Sequence, residues 1–124
     1  MSHYQAPLGD MSFQLFDVWQ VQQFWQQQAE LAELIDTDTA AAILEEAAKI
    51  TAEKIAPLAA AADEQGVSCV SGEVTTPSHY KECYQLLCEG GWTGLSGDPE
   101  YGGMGMPKSL SGLYDEMMLS LIHI

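Results

Sequence analysis

Apolar residues recur at three- and four-residue spacing in four stretches of this chain, and nowhere do they alternate over a useful length. That spacing fits helices with one buried stripe. The expected class is therefore all-α, with about four helices and a glycine-rich loop before the last. At 124 residues the chain has the size of one domain or part of one.

The first helix is expected from about Phe13 to Ile35. Val18, Val21, Trp25 and Ala32 fall on one stripe, with Phe24, Leu31 and Ile35 beside it. Gln20, Gln22, Gln23, Gln26, Gln27 and Gln28 make the opposite face polar. Phe24 and Trp25 interleave with them, which favours an amphipathic helix over a polar tract. Residues 1–12 read as an extended leader punctuated by Pro7 and Gly9, with Asp10 or Ser12 capping the first helix.

A second helix is expected from about Ala40 to Ala62, after the capping cluster Asp36-Thr37-Asp38-Thr39. Ile43, Leu44, Ala47, Ile50, Thr51, Ile55 and Leu58 form its inner face. Glu45, Glu46, Lys49 and Glu53 lie outside, with Glu45 and Lys49 spaced as an ion pair. Pro57 removes a backbone donor and predicts a kink or an end near Glu53 to Ala56. Residues 63–75 read as a loop that turns at Gly66 and Gly72.

Thr76-Pro77 predicts the start of a third helix, carrying Tyr80, Cys83, Tyr84, Leu87 and Cys88 on one face. Burial of those five is worth on the order of 10 kcal/mol before entropy is subtracted. Gly90-Gly91 ends it. Pro107 opens the fourth helix, whose stripe is Leu110, Leu113, Tyr114, Met117 and Met118.

Charge narrows the function classes. Lys plus Arg number 4 against 18 Asp plus Glu, for a net charge of −14. An acidic chain repels phosphate backbones, so nucleic acid is not an expected partner. No apolar run is long enough to span a bilayer. No basic-then-apolar leader opens the sequence, and a cytoplasmic location is expected. Cys69, Cys83 and Cys88 are odd in number and lack a CxxC pair, so buried reduced thiols are expected rather than a disulfide framework. His3, His79 and His123 are scattered, and no metal site is expected.

Gly90 to Pro107 is the most unusual stretch. From Gly102 it approaches the phosphate-loop pattern GxxxxGK[ST], but Pro107 stands where the second glycine belongs and has no N–H to offer. The dinucleotide pattern GxGxxG fails at Lys108, with no strand before it. A structural loop between two helices, anchored by Trp92 and Tyr101, fits better. No GxSxG elbow is present. Glu45-Glu46 and Asp115-Glu116 sit where solvated helix faces are expected.

Glu89-Gly-Gly-Trp-Thr-Gly-Leu-Ser-Gly-Asp-Pro-Glu-Tyr-Gly-Gly-Met-Gly-Met-Pro107 resembles the N-terminal helical domain of acyl-CoA dehydrogenases, where the pattern is approximately GW-x-GL, then PE-x-GG-x-G-x-P. Tyr4-Gln-Ala-Pro-Leu-Gly-Asp-Met-Ser-Phe13 is similar to the N-terminal extension of one branch. That branch carries an added C-terminal domain and includes 3-methylthiopropanoyl-CoA dehydrogenases. Ala42 to Lys49, Ala56-Pro-Leu58 and Val74-Thr-Thr-Pro77 fit it too. The resemblance covers residues 4 to 118. It divides the chain into an extension and first helix (1–35), an incomplete N-terminal helical domain (36–118) and a tail (119–124). The tail, Leu-Ser-Leu-Ile-His-Ile, is similar to one reading frame of a transposase-based sequencing adapter and is expected to be non-native.

The resemblance implies a flavoenzyme. FAD accepts a hydride from the β-carbon of an acyl-CoA thioester, a Glu removes the α-proton, and electrons pass to an electron-transferring flavoprotein. It places the catalytic Glu and the main flavin contacts in other domains, so no catalytic, cofactor-binding or metal residue is expected here. It places Glu100, Tyr101, Gly102 and Gly103 beside the acyl-chain channel. A homo-oligomer is implied for the complete protein. The alternative is a free-standing acidic helical interaction module without catalysis, with the Gln-rich helix as its partner surface.

Overall fold

The computed structural model describes residues 4–121. His3, His123 and the last three residues of the expected tail lie outside that range. The described chain is mostly helical, in agreement with the expected class, and adds one small hairpin.

The leader is helical earlier than expected. A short helix α1 spans Leu8–Ser12 and follows Pro7, which cannot sit inside it. Asp10 lies in its first turn rather than capping it. The single helix expected over 13–35 is broken instead. A π-helical segment spans Phe13–Val18, then Gln20 takes a left-handed conformation (φ 49°), and α2 (Val21–Gln26) and α3 (Ala29–Leu34) follow. The reason lies in packing. Phe16 and Trp25 are nine positions apart, about 2.5 helical turns, and would face opposite sides of one straight helix. The break brings them edge to face at 6.3 Å, and Trp25 is fully buried. Gln22 is thereby drawn off the polar face: its Nε2 donates to the Phe16 carbonyl at 3.1 Å.

Helix α4 (Thr37–Ile50) begins three residues before expected, because Asp36 caps it by accepting the Thr39 N–H at 2.7 Å. That bond holds the Asp36 carboxyl below its ordinary value. Pro57 neither ends the helix nor stops its burial. A π segment at Thr51–Ile55 widens the turn just before it, and α5 (Ala56–Gln65) carries on. Leu44, Ala47 and Thr51 are buried as the stripe predicts, and the Thr51 hydroxyl is satisfied by the Ala47 carbonyl. Glu45 and Lys49 do not pair; among the described residues the one basic–acidic side-chain contact is His79 Nδ1 with Glu82 Oε2 at 3.0 Å, an ion pair only when the imidazole is protonated.

The expected loop at 63–75 holds an antiparallel hairpin, β1 (Ser68–Val70) and β2 (Glu73–Thr75), with Cys69 opposite Val74. Ser71 and Gly72 both have positive φ, as a type I′ turn requires. Three residues per strand are too few to show alternation.

Helix α6 (Tyr80–Glu89) starts after His79 rather than at Pro77. Its apolar face is not buried. Tyr80, Tyr84 and Cys88 are exposed, and Cys83 and Leu87 are half-buried. The described elements simply do not reach it: α6 packs mainly on the turn that follows it. Cys69 is also exposed, so the expected buried thiols reduce to a half-buried Cys83. The core lies between α1, α4 and α7 (Lys108–Ser120), centred on Leu44, Leu110 and Met117. Each such side chain contributes about 1.5–3 kcal/mol by leaving water. Helix α7 begins directly after Pro107, buries Leu110, Tyr114 and Met117, and runs on through Leu119 and Ser120.

Candidate functional site

The glycine-rich stretch is a closed turn that doubles back on itself. After α6 a 3-10 turn spans Trp92–Gly94, and a second spans Pro99–Tyr101. Asp98 caps the second: its Oδ1 accepts the Glu100 N–H at 2.9 Å. Its carbonyl accepts from both Tyr101 and Gly103, each at 3.0 Å. The returning strand of chain then ties to the outgoing one. Met104 donates to Gly94, Gly105 to Gly97 and Met106 to Leu95, all at 2.9 Å.

Two glycines are required by this path. Gly103 crosses the Gly97 backbone so closely that a Cβ would land on it. Gly105 has φ 71°, and a Cβ there would lie 2.9 Å from the Pro99 ring.

The turn is fixed to the core from one side. Trp92 is buried and lies against Tyr114 of α7, with ring centroids 5.1 Å apart and planes tilted by 31°. Leu95 is buried as well. Burial, helped by the Asp115 charge, raises the Tyr114 hydroxyl above its ordinary value, so it stays protonated at neutral pH. Burial and the Glu82 charge likewise raise the Cys83 thiol, which makes it a weaker nucleophile.

The four residues expected beside a substrate channel lie together but face differently. Glu100, Tyr101 and Gly102 are exposed, and Tyr101 is 84% exposed. Tyr101 is not the anchor expected from its place in the loop; Trp92 alone fills that role. Gly103 turns inward onto Gly97. Asp98 and Gly97 are the residues that sequence reasoning missed. The signal for Asp98 was present, an N-capping residue followed by proline at the first helical position. The same signal at Thr76-Pro77 opened no helix.

The turn's chemistry follows from its hydrogen bonds. A phosphate cradle needs backbone N–H groups left free to face the anion. Here the N–H groups of Gly94, Gly97, Tyr101, Gly102, Gly103, Met104, Gly105 and Met106 all donate to carbonyls of the turn itself. The basic side chains Lys49, Lys54, Lys81 and Lys108 sit on four different elements. Beside the turn, a cleft of about 290 Å³ is lined by Thr93, Ser96, Lys108, Ser111 and Asp115 among others. Among the described residues no group of three His, Cys, Asp or Glu is placed to hold a metal ion. None of the described helices is long and apolar enough to cross a membrane.

Comparison with known proteins agrees with the turn. Residues 37–119 match the family model "Acyl-CoA dehydrogenase, N-terminal domain". The chain is 36% identical over 119 residues to the 3-methylmercaptopropionyl-CoA dehydrogenase of Ruegeria pomeroyi, an overlap of 94% of this chain and 20% of that protein. It thus spans about one fifth of that relative's length. The family match starts at α4 and takes in α5, the hairpin, α6, the closed turn and α7, so the chain belongs to the acyl-CoA dehydrogenase family.

Proposed function

We propose that this chain is the N-terminal helical lobe of an FAD-dependent acyl-CoA dehydrogenase, and that it is inactive on its own. The observation that carries this reading is the family match over residues 37–119, the segment that includes the closed turn. The reaction so assigned is α,β-dehydrogenation of an acyl-CoA thioester. The described residues do not fit FAD by themselves. Eight of the turn's N–H groups donate to its own carbonyls, and one lysine, Lys108, lines the cleft beside it. Flavin and catalytic Glu belong to other parts of the whole protein in this reading.

The lobe's own contribution is positional. Glu100, Tyr101, Gly102 and Gly103 stand on a rigid turn beside the acyl-chain channel. Trp92 and Tyr114 hold that turn against α7. The whole protein acts in the cytoplasm as a homo-oligomer and passes electrons to an electron-transferring flavoprotein. Within the chain, residues 1–35 form an extension and first helix, and 36–118 the incomplete family domain.

The test of inactivity is direct. The purified 124-residue chain, mixed with FAD and passed through gel filtration, is expected to emerge colourless and to oxidise no acyl-CoA. A flavin spectrum travelling with the chain contradicts the proposal.

A further inference from the structure

We draw no further inference here: the strongest candidate, the apolar cleft of about 420 Å³ that Trp19, Val21, Phe24 and Leu31 form with the start of α7 at Pro107–Ser109, carries nothing because nothing in the structure shows what covers it.

Discussion

Gly103→Ala asks the turn to place a methyl group where the Gly97 backbone already runs. A flexible side chain can swing aside from such a clash, but a backbone held by its own hydrogen bonds cannot. The expected loss is about 3 kcal/mol, read by urea unfolding. Gly112 is the contrasting case. It lies inside α7 with nothing within 4 Å of a Cβ. Gly112→Ala is expected to gain about 1 kcal/mol, because alanine loses less backbone freedom in a helix. Equal effects at the two sites would remove the case for a closed crossing. Asp36 supplies a pH dependence. Its folded carboxyl titrates below the ordinary 3.8. The stability it adds is present above the unfolded value and is lost as pH falls through the folded one. Asp36→Asn keeps a capping oxygen and removes that titration. Thermal melts should therefore show the wild type losing more than the variant between neutral pH and pH values below 3.8.

Helices α6 and α7 test what burial means for an element. Both carry an apolar stripe at helical spacing, and only α7 buries it. Leu110→Ala should cost about 3 kcal/mol, since the site is closed on all sides. Tyr84→Ser should change the stability of this chain by no more than about 0.5 kcal/mol. Denaturant curves for the two variants separate the cases; a large loss at Tyr84 would mean that α6 is packed after all. This contrast also shows what was legible in the sequence. Periodicity located the stripes of α4 and α7 because their partners are near. It could not tell that α6 has no described partner, since a stripe says which face is apolar and not what meets it. It joined 13–35 into one helix because the break at Gln20 is a packing solution, visible only once Phe16 and Trp25 meet. The closed turn was legible as a motif from its glycines. The crossing of Gly103 over Gly97 was not, because it pairs residues whose contact depends on the whole path between them.

The molecule as a whole presents several apolar groups to solvent. Trp19 is 75% exposed, and Phe13, Val18, Phe24, Val70 and Tyr84 are exposed as well. Patches of this kind favour association. A charge of −14 opposes it, with a reach that shrinks as salt is added. Sedimentation of the purified chain should show its mean mass rising with ionic strength. A mass that stays monomeric at every salt concentration would mean that these side chains find cover within the chain. The charge of −14 is that of these 124 residues and not that of the complete protein proposed above. Membership of the lobe in a flavoenzyme is tested most directly on that complete protein. The full coding sequence should be expressed, purified and mixed with acyl-CoA thioesters in the absence of oxygen, while the flavin absorbance is followed. The expected result is a flavin-containing protein whose oxidised-flavin band bleaches as an acyl-CoA is dehydrogenated. A colourless protein, or a flavin band that no acyl-CoA bleaches, would contradict it.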